Sequence, residues 1–210
     1  TAAEQGYQKA IKKIDTLNSS NSSSNQEIDD EIIFSAIRNN DIKRVQNFID
    51  QGLNFNIFDS NLRSTIMVAL LAEHKEMSEI LLPLSRHLDQ ADLEQRRPLH
   101  IASSLGYIDI ARQLLDKKVN IDAQDSLGNT ALIIATRHNN ATLIRLLFNN
   151  KANHSIQNKK NQTAINIAQI QNNKSTNEVF NRFGINVKKA PESFANLDVK
   201  AFQNSIDSDS

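Results

Sequence analysis

The sequence predicts an all-α protein built from stacked antiparallel helix pairs, and three observations lead there. From Asp29 onward, apolar residues recur with the helical period in runs of about eight to ten residues, separated by short polar turns. No β-rich stretch interrupts them. The chain is also similar to itself at a constant shift of 33 residues: Asp59, Asp92 and Asp125 continue into Asn158, and Ser64, Arg97, Thr130 and Thr163 form a second series. A third series, Ala36, Ala69, Ala102, Ala135 and Ala168, runs through five copies without insertion or deletion. A single helix pair cannot bury its apolar face alone, so copies repeated at this period stack into a solenoid.

Taken in order, residues 1–17 form a short N-terminal helix, amphipathic through Tyr7, Ala10, Ile11, Ile14 and Leu17. Residues 18–25 are Ser and Asn only and read as a linker, because their side chains compete with helix for backbone hydrogen bonds. Five copies follow at 26–58, 59–91, 92–124, 125–157 and 158–190, and a polar tail occupies 191–210. Within each copy the small alanine lets neighbouring helices approach, while pairs such as Leu114 and Leu115 pack the second helix on the first. Gly52, Gly106, Gly128 and Gly184 stand where the chain reverses and a positive φ is needed. Pro98 suits a first helical turn, where no amide donor is required, and Pro191 stands just outside the fifth copy.

Composition narrows the function. Lys plus Arg and Asp plus Glu are both 24, so net charge offers no general attraction to nucleic acid or to an anionic membrane. No apolar run approaches the roughly 18 to 20 residues of a membrane span. Cysteine is absent, which excludes disulfides, zinc–thiolate sites and thiol nucleophiles. A chain starting at Thr1 points to a processed protein of a bacterial periplasm or one secreted, with the cytoplasm as the alternative, and an Asn, Ile and Lys-rich composition suggests a bacterial source.

The residues that recur resemble the ankyrin repeat, whose signature is a turn with Asp and Gly, then Thr-Pro-Leu-His, then two antiparallel helices. The third copy carries Pro98-Leu99-His100-Ile101-Ala102, then Gly106-Tyr107-Ile108, Leu114-Leu115 and Val119-Asn120-Ile121-Asp122-Ala123. The fourth carries Asp125, Gly128, Thr130 and Leu132 in phase. The resemblance implies the solenoid fold, a protein partner and no enzymatic activity.

Departures from the pattern carry expectations of their own. Leu62, Gln95 and Asn161 replace the turn glycine, so those turns are expected to be distorted. Pro83 should end or bend the second helix of its copy early. The polar residues Arg38, Asn39, Asn40 and Asp41, and Asn172, Asn173 and Lys174, are expected to shield the ends of the stack. The five histidines lack metal-ligand spacing; His100 resembles the structural histidine of the motif, and His74 an inter-helix histidine of the family. No nucleophile turn, phosphate loop or dinucleotide fingerprint occurs, so no catalytic residue, cofactor or metal site is assigned.

In the family, partners are commonly bound by turn tips and the exposed face of the first helices. Carried over by position, the candidate partner-binding residues are Arg63, Leu93, Arg96, Leu105, Leu127, Arg137, His138, Lys159 and Lys160. Cations dominate this strip, Glu94 being its one acid, and Leu93 and Leu127 are expected to be exposed at neighbouring tips. The expected function is a protein-interaction module, acting as a monomer as adaptor, inhibitor or immunity-type protein on a partner with acidic and apolar surface. Nucleic-acid binding is the alternative, drawing on the same cations without aromatic residues for base stacking, and a hydrolytic enzyme is the remaining one. Because strip residues lie outside the alanine and leucine core series, their substitution is expected to leave the fold intact.

Overall fold

The computed structural model describes residues 30–187, and the expected helix 1–17, linker 18–25 and tail 191–210 lie outside the described residues. Ten α-helices occur among them, in five consecutive pairs. The pairs are α1 Asp30–Arg38 with α2 Ile42–Asp50, α3 Thr65–Leu71 with α4 Lys75–Leu81, α5 Pro98–Leu105 with α6 Ile108–Asp116, α7 Ala131–Arg137 with α8 Ala141–Asn149, and α9 Ala164–Gln171 with α10 Lys174–Arg182. The single β feature among the described residues is an isolated antiparallel bridge between Phe58 and Ser64.

Sequence sets the helix ends through side-chain caps. Asp41, Thr130, Asn140, Thr163 and Asn173 each accept a hydrogen bond from the backbone amide three residues on, satisfying a donor that has no partner within the helix. Pro98 opens α5, and His100 Nδ1 accepts from the Arg97 amide at 3.1 Å, so the buried histidine closes the start of that helix. His74 Nε2 lies 3.0 Å from the Arg38 carbonyl oxygen, joining the second pair to the first. Asp41 and Asn173 therefore open helices, and in the end pairs Ile32 is 38% and Phe183 36% exposed, Phe183 stacking on Phe148 at 4.9 Å.

Chain reversal is as periodic as the sequence. Thirteen described residues have positive φ, and all fall into three series of period 33. Asn40, Glu73, Gly106, Asn139 and Asn172 join the two helices of a pair; Gly52, Lys118, Lys151 and Gly184 follow the second helix; Leu62, Gln95, Gly128 and Asn161 sit in the turn tips. The one gap is Ser85, at φ −84°, where the second series calls for a left-handed residue. Its cause is Pro83. Without an amide to donate back into the helix, proline ends α4 at Leu81 and leaves a 3-10 turn over Leu82–Leu84. The segment that follows is held by Asn56, whose Nδ2 donates to the Leu84 carbonyl at 3.2 Å while its Oδ1 accepts from the Arg86 amide at 2.7 Å.

The described residues belong to two compact units divided between Val119 and Asn120. In the first, α1 packs on α3 and α3 on α5, with Ala36, Ala69 and Ala102 at most 2% exposed and Ile37, Ile66, Met67, Leu81 and Leu114 fully buried. In the second, α7 packs on α9 and α8 on α10 around Ala135, Leu132, Leu147 and Ile167, and Phe148 meets Phe180 edge-on at 5.2 Å. Each fully buried aliphatic side chain contributes about 1.5 to 3 kcal/mol.

Candidate functional site

The turn tips are built alike in both units. In the first, the Asp59 Oδ1 accepts from the amides of Asn61 at 2.9 Å and Arg63 at 3.0 Å, and the Asp92 Oδ1 accepts from the Arg96 amide at 2.8 Å. In the second, Asp125 accepts from Leu127 and Asn129, and Asn158 from Lys160 and Gln162. A side-chain oxygen thus replaces a backbone carbonyl and folds five residues into a loop closed by main-chain bonds, such as Asp92 N–H to Arg96 O at 2.9 Å. The fourth residue of each loop is left-handed: Leu62 at φ 60°, Gln95 at 58°, Gly128 at 78°, Asn161 at 55°. The distortion expected at the three non-glycine tips is therefore corrected. Those tips keep the glycine geometry, and the neighbouring hydrogen bonds impose a conformation that costs an L-residue about 1 to 2 kcal/mol.

The same loops change the electrostatics of the candidate strip. Arg63 folds back on Asp59 through Nε at 2.8 Å and Nη2 at 2.7 Å, and Arg96 on Asp92 through both nitrogens at 2.9 Å, with Glu94 at 3.1 Å from Nη2. Both aspartates are buried. Burial pushes the Asp92 carboxyl above its usual range, against the opposing pull of the Arg96 amide and guanidinium. Arg63 and Arg96 are therefore counter-ions of buried carboxylates, and substitution of Arg96, expected from the sequence to leave the fold intact, would remove the ion pair of a buried carboxylate. A trace of this lies in the sequence: both arginines at position five follow an Asp at position one, Asp59 with Arg63 and Asp92 with Arg96, whereas Asp125 stands with Asn129 and Asn158 with Gln162.

The remaining candidates divide between the units. In the first, Leu93 is 46% exposed at its tip and Leu105 is half-buried at the end of α5; the Leu93 amide donates to the Asn61 carbonyl at 3.1 Å, joining two tips. In the second, Leu127 is 44% exposed and Lys159 and Lys160 are exposed beside it, the Lys159 amide donating to the Leu127 carbonyl at 2.9 Å. Arg137 is half-buried, and its Nη2 donates to Asn129 Oδ1 at 3.0 Å. His138 is exposed over much of its surface, but the buried remainder of the ring, and then the Arg137 charge, hold its imidazole below the usual pKa.

Among the described residues no group of three or more His, Asp and Glu is arranged to hold a metal ion, and no helix is long and apolar enough to cross a membrane. A pocket of about 600 Å³ on α2 is wide open and lined by Ile42, Lys43, Gln46, Asn47 and Asp50 of that helix.

With helix pairs, capping His100 and Asp-led tips in place, the comparisons with known proteins fall into line: a family model for ankyrin repeats in three copies matches residues 32–125 and 99–189. The chain belongs to the ankyrin-repeat family. Over 92 residues, or 44% of its length, it is 32% identical to the potassium channel AKT2/3 of Arabidopsis thaliana, of which that stretch is 11%. The likeness thus covers a small part of the channel. Ankyrin repeats are in general protein-interaction modules, and the family is typically non-enzymatic.

Proposed function

We propose that the chain is a non-enzymatic ankyrin-repeat module that binds a protein partner through its turn tips, as an adaptor, inhibitor or immunity-type protein acting as a monomer. In this reading the five helix pairs are five repeats with bounds at 26–58, 59–91, 92–124, 125–157 and 158–190. One observation carries the reading: Leu93 and Leu127 are large apolar side chains about half exposed, each on a tip whose backbone is fixed by its own side chains. Apolar surface held rigidly in water gains on burial against a partner and loses little conformational freedom in binding.

The test is kinetic, with the partner captured from the native organism. Leu93→Ala together with Leu127→Ala should weaken binding by ~1 to 3 kcal/mol, mainly through faster dissociation, since truncation removes desolvated contacts and leaves long-range attraction alone. Unchanged rates in a variant that melts like the parent would move the interface away from the tips.

A further inference from the structure

We propose that the paired tips of residues 120–187 take an acidic protein segment bearing an apolar anchor, whereas the tip arginines Arg63 and Arg96 take no part in charge recognition; this rests on the protein-binding reading above. The two tips of the second unit form one surface. Besides the bond from Lys159 to the Leu127 carbonyl, a Cβ added at Gly128 would lie 2.8 Å from Lys159 N, so the loops touch backbone to backbone. That contact fixes the exposed Leu127 beside Lys159 and Lys160, and among the described residues neither lysine lies in an ion pair.

The acids nearby do not offset these charges at the surface. Asp125 is turned into its own loop, where it accepts from two amides and from Asn129 Nδ2, and Asp122 accepts from the Asn153 amide at 2.9 Å. Glu178 stands on α10, 4.0 Å from Lys174. Residues 120–187 hold seven Lys and Arg against three Asp and Glu; residues 30–119 hold eleven against thirteen. A neutral chain therefore carries its positive charge on one unit. In the other unit, the tip arginines Arg63 and Arg96 are spent on Asp59 and Asp92.

A protein is favoured over a nucleic acid because the anchor is aliphatic. Base stacking requires a flat π surface, and Ser126, Leu127, Lys159, Lys160 and Asn161 offer none. Leu127 instead suits an apolar side chain or shallow pocket flanked by carboxylates, the arrangement of a buried centre with a charged rim.

The probe is a library of random linear peptides displayed on phage, selected on the immobilised full chain and on two variants, Lys159→Gln with Lys160→Gln, and Arg63→Gln with Arg96→Gln. The parent should enrich peptides with Asp or Glu flanking an apolar residue. The lysine variant should bind those peptides with association slowed on the order of tenfold and with a flatter salt dependence, while the arginine variant, where it melts as a folded protein, should bind them like the parent. A Leu127→Ala chain should release them faster. Enriched peptides without acid preference, but sensitive to Leu127→Ala, would overturn the acidic partner and leave tip binding standing. No enrichment, or enrichment indifferent to every tip substitution, would overturn both. A single-stranded RNA oligonucleotide that binds the parent more tightly than the selected peptides, with a steep linear fall of log affinity on log salt, would replace the protein partner by nucleic acid.

Discussion

Removing the Arg96 guanidinium isolates what the buried tip carboxylates do. The Asp92 side chain is fully buried, and Arg96 supplies it with two side-chain bonds at 2.9 Å and one amide bond at 2.8 Å. Arg96→Met keeps the aliphatic stem and the amide but leaves the buried charge without a counter-ion, which costs about 3 to 5 kcal/mol in a fully buried pair. Because Arg96 is 35% exposed, water already screens the pair, and the lower end, ~3 kcal/mol at neutral pH, applies. Asp92→Asn should cost only ~1 kcal/mol, since Asn keeps the acceptor for the Arg96 amide and the released guanidinium can reach water. The double change Asp92→Asn, Arg96→Gln recreates the Asn158 and Gln162 tip of the same chain and should fall within ~1 kcal/mol of the parent.

The pH dependence has a definite sign. The folded Asp92 pKa is raised, so the folded state holds that proton more tightly than the unfolded chain does. Its contribution is then greatest below about 3.9, the unfolded value, and declines as pH rises through the folded value. Arg96→Met should widen that window, so its penalty shrinks on acidification. Urea unfolding of the four proteins across acid to neutral pH measures all of this. An Arg96→Met penalty no larger than that of Asp92→Asn at neutral pH, or one that grows on acidification, would refute the counter-ion argument.

Three further outcomes are expected. Gly128→Ala should lower stability by ~2 kcal/mol or more in thermal or urea melts, because φ is +78° and the new methyl meets backbone at 2.8 Å, whereas Gly52→Ala, with open space around it, should show only the smaller cost of its φ. Gln95→Gly should stabilise by roughly 0.5 to 1 kcal/mol, as an exposed side chain at φ 58° gives up left-handed strain and the added freedom of the unfolded chain offsets part of the gain. Phe180→Ala should cost ~3 to 5 kcal/mol and perturb the Phe148 ring environment by NMR, since Phe180 is fully buried edge-on against it.

Legibility followed the range of the interactions. Helix pairs, alanine contacts, glycine turns and the early end of α4 at Pro83 are local or strictly periodic, and the shift of 33 residues exposes them before any coordinate is known. The roles of Arg63 and Arg96 are not legible that way, because position alone marks them as exposed turn cations. Only the folded loop shows that the fifth residue reaches back to the first. Asp at position one stands with Arg at position five in two copies, but Asp125 stands with Asn129, so the two columns alone do not define the ion pair. Leu62 failed for the reverse reason. A leucine in a glycine column reads as a broken turn, but its burial and its amide bond to the Asp59 carbonyl hold the loop closed.

On the proposed reading, the division of labour within a tip bears on how such a chain would change its targets. Positions one, four and five hold the loop, while positions two and three, namely Ser60 and Asn61, Leu93 and Glu94, Ser126 and Leu127, Lys159 and Lys160, contribute to its closure through main-chain atoms, apart from the Glu94 contact with Arg96. Substitution there is expected to redraw the outer surface without reopening the fold, so that under the proposed tip binding a drift in specificity would be uncoupled from loss of stability. A combinatorial library confined to those eight positions should remain folded almost throughout, whereas one of equal size placed on positions one, four and five would be culled by misfolding before it met a target.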